Sequence, residues 1–276
     1  MSVQRAARVR RRRVVVAGVV LTVAGLLIAL AVVLVAGSSS APVVTGPPCQ
    51  ATVAGTTVGL DLDQAQNATT IAAVGKRAGL PDHAVTIALA TAMQESKLHN
   101  VDYGDRDSLG LFQQRPSQGW GTTEQVMSPE HAAGAFYDKL TAVPGWETMA
   151  VTDAAQRVQR SGAPTAYARW EDDARVLAQA LTGEVPAGLK CRVVLPKGAT
   201  VDSGLTAALT GEVGAAATDP SAPPAQGWTT AMWLVGHADQ LQIKTVTYAG
   251  QRWTARSGTW TPFKGADASD GLVHAA

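Results

Sequence analysis

The stretch Ile87–Pro116, IALATAMQESKLHNVDYGDRDSLGLFQQRP, decides how the chain is read. Val85, Ile87, Ala88, Leu89, Ala92 and Met93 cover too much of a helical circumference for a surface helix, so a helix from about Asp82 to Leu98 belongs in the centre of a core. Near its end stands one acidic residue, Glu95. A polar loop comes next, and then the turn Gly110-Leu111-Phe112-Gln113-Gln114. Apolar neighbours favour the protonated form of a carboxyl group, and here Ala92, Met93 and Leu98 are adjacent or one helical turn away. A glutamate so placed, facing a glycine-bearing turn with amide side chains, suits general acid chemistry. A lone helical glutamate is ordinarily a solvated surface residue, and only the spaced turn singles Glu95 out.

Outward from this stretch the pattern stays helical. Ala68, Ile71, Ala72 and Ala78 line one face of a preceding helix that Asp63 can cap and Gly79-Leu80-Pro81 ends. Ser128-Pro129-Glu130 opens another helix, closed at Pro144-Gly145. Asp153–Arg160 and Pro164–Leu181 give two more, the last ended by Gly183. Five or six helices with almost no strand signal make residues 60–183 an all-α domain. Residues 184–227 read as a linker, because Pro196–Gly227 is rich in Ala, Gly, Pro and Thr. Residues 228–276 read as a small α/β domain. It has a helix with Met232, Trp233, Val235 and Leu241 on its apolar face, then two strands joined at Ala249-Gly250, and a short strand at Leu272–His274. The expected fold class is mainly α.

Residues 1–13 carry six arginines, and residues 14–36 carry no charge. That apolar run would span about 35 Å as a helix, enough for a bilayer core. The arginines predict a cytoplasmic N-terminus and a single-pass anchor with everything after Gly37 outside the membrane. A signal peptide cleaved near Ala36-Gly37-Ser38 is the alternative, and it would yield a secreted form. Residues 37–59 lack helical periodicity and read as an extracytoplasmic tether. The arginine cluster hides the balance of the rest: 22 acidic residues outnumber the remaining basic ones, by about five charges. No basic stripe with interleaved aromatics is present, so nucleic acid is not an expected partner. Two cysteines, Cys49 and Cys191, bracket the helical domain, and in an oxidising compartment a disulfide between them is expected, free thiols being the alternative.

Glu95-Ser96, the interval, Gly110-Leu111-Phe112-Gln113 and the nearby Pro116 resemble the motif of the soluble lytic transglycosylases, in the lysozyme-like superfamily. That resemblance implies a lysozyme-like domain over residues 60–183, acting on glycan strands of bacterial peptidoglycan without a cofactor or metal. It implies that Glu95 protonates the bond between N-acetylmuramic acid and N-acetylglucosamine. As carboxylate, Glu95 then accepts the proton of the muramoyl 6-hydroxyl, whose oxygen closes a 1,6-anhydro ring. Gln113, Gln114 and Phe112 would contact substrate, although the amides could equally tie the turn to its own backbone. The family's Gly-Leu-Met-Gln has Phe112 in place of methionine. Its Ala-Tyr-Asn-Ala-Gly segment has only Ala166-Tyr167-Ala168-Arg169-Trp170 as a candidate, so Tyr167 is either the tyrosine beside the acid or a core aromatic. His99 lies one turn beyond Glu95 and could pair with it. Asp102, Asp105 and Asp107 could solvate their loop or supply the second carboxylate of a hydrolytic muramidase. A non-catalytic glycan-binding protein is the reading from another class. The tail resembles a degenerate D-Ala-D-Ala peptidase-like domain: only His237 and His274 are present, Leu272 stands where a ligand would be needed, and no zinc site is expected.

Overall fold

The computed structural model describes residues 46–265 and 271–276. The expected anchor at 14–36, the segment 1–13 and the first part of the tether lie outside them. Among the described residues no helix is long and apolar enough to cross a membrane.

The described residues are mainly helical, with two small antiparallel sheets. Strands β1 (Cys49–Val53) and β2 (Thr56–Leu60) form a hairpin, and β3 (Leu189–Cys191) pairs with the other edge of β1. Part of the expected tether is therefore folded. Cys49, Ala51, Val58 and Leu60 alternate with exposed residues and face the core, while Ala54 and Gly55, both at positive φ, make the turn. Cys49 lies directly opposite Cys191 in the β1–β3 ladder, and the two form a disulfide that closes a sequence separation of 142.

Helix α1 (Leu62–Arg77) begins with a capping box at Asp61, two residues before the expected Asp63. The Asp61 carboxylate accepts from Gln64 N–H, and Gln64 Oε1 accepts from Asp61 N–H. Helix α2 (Asp82–Ser96) is buried at every position from Ala84 to Met93. It tolerates Thr86 and Thr91 inside because their hydroxyls donate to carbonyls four residues back. Around it pack α1, α4 (Pro129–Thr141, capped by Ser128 as expected), α5 (Val151–Gln159) and α6 (Glu171–Leu181), with the short α3 (Thr123–Val126) against α4. Phe112, Phe136 and Tyr137 add aromatic contacts at 4.8 and 6.0 Å between ring centres. The helix expected from Pro164 starts later, because Ala166–Trp170 is a 3-10 turn leading into α6.

Residues 184–227 are not simply a linker. They include β3, helix α7 (Leu205–Glu212), a 3-10 turn at Ala215–Thr218 and the start of α8 (Pro224–Gly236). The tail is not set apart either: α8 lies on α1, and residues from Gly46 to Ala276 form one compact unit. A side chain at Gly236 would run into Thr69 of α1, so glycine permits that approach. Beyond it, β4 (Thr245–Tyr248), β5 (Gln251–Thr254), β6 (Trp260–Pro262) and β7 (His274–Ala275) form a sheet in the order β6-β5-β4-β7. The hairpin turn at Ala249-Gly250 is where the sequence puts it, with both residues at positive φ. Two indoles fasten this sheet to β3: Trp253 donates to Cys191 O at 3.0 Å and Trp260 to Leu189 O at 2.9 Å.

The α1–α8 seam encloses a polar cluster. Thr70 Oγ1 and Trp233 Nε1 both donate to Glu212 Oε2 at 2.6 Å, and His237 Nε2 lies 3.6 Å from the same oxygen. His237 stacks on Trp233, with ring centres 4.0 Å apart. Burial pushes its pKa down to about 4, against a raising contribution from the Trp233 carbonyl. The imidazole is thus neutral at physiological pH, and its contact with Glu212 is not an ion pair there.

Candidate functional site

Glu95 is the penultimate residue of α2, and immediately beyond the helix the chain turns sharply back. Lys97 and Leu98 both adopt left-handed backbone, at φ 57° and 63°, and their N–H groups return to Met93 O and Ala92 O at 3.3 and 3.2 Å. Two side chains of α1 pin this closure. Gln64 donates to Lys97 O at 2.9 Å and Asn67 to Leu98 O at 2.8 Å. Leu98 seals the end as a buried residue.

The motif turn is built against this helix end. Leu109 and Gln114 exchange backbone hydrogen bonds of 2.9 and 3.0 Å, so Gly110 to Gln113 form a tight loop. Gly110 sits at φ 74°, and a Cβ there would stand 2.6 Å from Val126 O, which leaves glycine as the residue that fits. Ser96 Oγ donates to Leu111 O at 2.8 Å, so the residue after Glu95 ties helix to turn. That contact gives the spacing its physical meaning.

Two side chains converge on Glu95. Tyr167 Oη donates to Glu95 Oε1 at 2.7 Å from the 3-10 turn before α6. Gln159 Nε2, at the end of α5, donates to the same oxygen at 3.2 Å and to Phe112 O at 2.8 Å. Both acceptors require the nitrogen of Gln159 to face them, which fixes its amide orientation. Burial, first, and the Glu95 bond and charge push the Tyr167 hydroxyl well above the usual phenol range, so Tyr167 donates. Among the described residues nothing bonds Glu95 Oε2. With Oε1 occupied by two donors, the proton of a neutral Glu95 belongs on Oε2. Lys97 nearby is pushed below its ordinary value, mainly by burial and then by Arg169, with Glu95 acting in the opposite sense.

Glu95 opens onto a cleft of about 760 Å³ lined also by Asp105, Arg106, Gln113, Trp120 and Gln159. Other residues expected at the site divide clearly. Gln113 is on the cleft wall, but its amide donates to Gly110 O and Tyr103 O at 3.3 and 3.2 Å and so also ties the turn. Phe112 and Gln114 do not face the cleft as expected. Phe112 is fully buried on Phe136, and Gln114 is 1% exposed with its amide donating to Ala132 O of α4 at 2.9 Å. Gln113, between them at φ 48°, is turned to the cleft, and the core takes Leu111, Phe112 and Gln114. Tyr167 is fully buried as well, and only its hydroxyl serves the site. His99 pairs with Asp61, 3.5 Å away, and not with Glu95.

The three loop aspartates differ in kind. Asp107 is a staple: it accepts from Ser117 N–H and Arg115 Nε at 2.8 Å and from Ser117 Oγ at 2.9 Å. Those bonds, the Ser117 amide foremost, hold its carboxyl well below the usual carboxylate range. Asp102 is exposed, and Asp105 alone of the three lines the cleft. Among the described residues no cluster of metal-binding side chains occurs, and of the two tail histidines His237 is buried in the α1–α8 seam while His274 lies on β7. Sequence reasoning misses Gln159 and Trp120. Neither belongs to a motif, and folding alone brings α5 to the end of α2. No protein-family model matches the chain and no curated protein matches it.

Proposed function

We propose that this protein is a cell-wall glycan-cleaving enzyme, a lytic transglycosylase acting on the bond between N-acetylmuramic acid and N-acetylglucosamine of peptidoglycan. On this proposal its helical part, residues 60–183, is a lysozyme-like domain held outside the cell by the N-terminal segment. The observation that carries it is Glu95 itself: a half-buried carboxyl group with Oε1 held by Tyr167 and Gln159, and Oε2 unengaged beside an open cleft. Such a group is oriented for proton transfer through one oxygen. Glu95 Oε2 gives its proton to the glycosidic oxygen as the C1–O bond breaks. The carboxylate so formed then takes the proton of the 6-hydroxyl, and that oxygen bonds to C1. The strand is cut without water, and Glu95 regains its proton. The disulfide suits an oxidising compartment, where such an enzyme would work.

One observation favours hydrolysis as a second reading. Asp105 shares the cleft with Glu95, so a second carboxylate is at hand for a muramidase. End-group analysis of fragments released from purified sacculi by the full chain separates the cases. Anhydro-muramoyl ends are expected; reducing ends would assign a muramidase. Pelleting with the sacculi without release would leave a non-catalytic binder.

A further inference from the structure

The outward face of β3 and the residues that follow it is cationic. Lys190, Arg192 and Val194 are exposed and alternate with the buried Leu189, Cys191 and Val193, so all three side chains leave the fold on one side. Backbone bonds extend this face sideways: Val193 N–H donates to Ala255 O at 2.8 Å, and Ala255 N–H to Lys244 O at 2.9 Å. Arg192, Val194, Lys244 and Arg256 accordingly line one open cavity of about 530 Å³ that has no acidic residue in its wall. Among the described residues none of the cations Lys190, Arg192, Lys244 and Arg256 has an acidic side chain as partner. Ala276 O lies at the same edge, taken up by the backbone N–H groups of Lys244 and Thr245 at 2.6 and 2.8 Å. Beyond its first 13 residues the chain has an acidic excess of about five charges, so this cluster runs against the sign of its surroundings. Val194 is 82% exposed, and Tyr103 is the one other large apolar side chain so exposed among the described residues. The face also adjoins the root of the tether. Arg192 N–H donates to Pro48 O at 2.9 Å, two residues after Gly46, and the next residue, Cys49, is bonded to Cys191. Residues 37–45, nine in all, separate Gly46 from the uncharged run that ends at Ala36, and nine residues reach at most about 32 Å.

We propose that Arg192, Val194, Lys244 and Arg256 form a docking surface for the anionic lipid headgroups of the membrane that holds the chain. The inference rests on the reading of residues 14–36 as an anchor and is independent of the chemistry at Glu95. Cations are drawn to an anionic bilayer surface within a Debye length of it. A short tether makes that encounter intramolecular, so a few charges suffice. An exposed valine among cations fits a lipid interface, where phosphates lie over apolar chains, whereas a soluble anionic polymer offers the valine no apolar partner. Docking would hold the compact unit Gly46–Ala276 in one orientation, and with it the height at which the Glu95 cleft meets the glycan.

The test uses the full chain in vesicles of phosphatidylcholine, with or without phosphatidylglycerol, a fluorophore at Val194→Cys and a headgroup-spin-labelled lipid as quencher. Cys49 and Cys191 are bonded to each other, which leaves the new thiol as the one labelled. A control label sits at Glu147→Cys, on the 3-10 turn Trp146–Thr148. Phosphatidylglycerol should bring quenching of the label at position 194 and not of the control, and raised salt should remove it. Each cation near an anionic surface is worth about fivefold in binding, so adding Arg192→Gln, Lys244→Gln and Arg256→Gln should lower the docking equilibrium about a hundredfold and abolish the quenching. Equal quenching on neutral and anionic vesicles would overturn the proposal, as would quenching in the triple variant equal to that of its parent. A label that ignores anionic vesicles but responds to soluble polyglycerol phosphate would overturn it in favour of an anionic polymer. Anchoring is scored separately, by flotation with neutral vesicles. A chain that fails to float there would contradict the anchor. The docking surface would then stand if the chain floats with phosphatidylglycerol vesicles and the triple variant does not, and fall if the two behave alike.

Discussion

Glu95 is held by one oxygen and, on the proposed mechanism, works by the other, and each holding bond makes a separate prediction. Tyr167→Phe removes the stronger donor and leaves the ring in place in its buried site. A hydrogen bond to a charged group is worth about 1.5–3 kcal/mol, so turnover should fall roughly ten- to a hundredfold with stability little changed. Gln159→Leu should cost somewhat less at Glu95, because its bond there is longer, but it also frees the Phe112 carbonyl. Asp105→Asn should leave most activity, measured as release of soluble fragments, if one carboxylate suffices. A loss as large as that from Glu95→Gln would assign Asp105 the second role. Glu95 and its turn are legible in sequence because helix end, loop and turn are contiguous, and a glycine at φ 74° marks the turn. Gln159 is not legible, because it reaches Glu95 across a separation of 64 residues from a helix with no distinguishing pattern.

The elements that position the site are read from sequence with uneven success, for identifiable reasons. The long apolar run of α2 and the Ser128-Pro129 start of α4 rest on periodicity and capping, and both occur as expected. The β1–β2 hairpin is missed because Gly, Thr and Ala dominate it. Its signal is the alternation of Cys49, Ala51 and Val53 and of Val58 and Leu60 about Ala54-Gly55, which a compositional reading overlooks. Helix α7 is missed for a related cause: Ala, Thr and Gly read as connector, and packing supplies the helix. The seam of α1 with α8 gives a prediction at this scale. Gly236→Ala places a methyl group against Thr69 and should destabilise by about 1–3 kcal/mol in chemical denaturation, without changing how Glu95 is held.

Across the whole molecule, the disulfide joins the strand pair before α1 to the strand that follows α6. Closing a loop of 142 residues stabilises by about 5 kcal/mol in the chain-entropy model, so replacing both cysteines by alanine should lower the thermal midpoint by on the order of 10 °C. The buried cluster in the α1–α8 seam sets an acid limit. His237 is depressed to about 4 in the folded chain, so as pH falls below about 6.5 the unfolded chain binds its proton first. Stability then declines between pH 6.5 and 4, by at most about 3 kcal/mol from this group. Glu212 acts oppositely. Burial, first, raises it, so the folded chain holds that proton to higher pH and stability contributed there is lost as pH rises. His237→Gln should therefore flatten the acid-side decline measured by denaturant titration at about pH 7 and about pH 4.5. A decline unchanged in that variant would place its origin elsewhere.

The most direct test of Glu95 as the single acid and base is mass spectrometry of muropeptides released by the full chain and by its Glu95→Gln variant. The substitution keeps size and hydrogen-bonding capacity and removes the transferable proton. General acid–base catalysis contributes about 10²–10⁴-fold, and one group serving both steps should reach the upper end of that range. The unsubstituted chain should release fragments lighter by one water than hydrolysis products, and the folded, glycan-binding variant should release none. Release of the same fragments by the Glu95→Gln variant at a comparable rate would contradict the account.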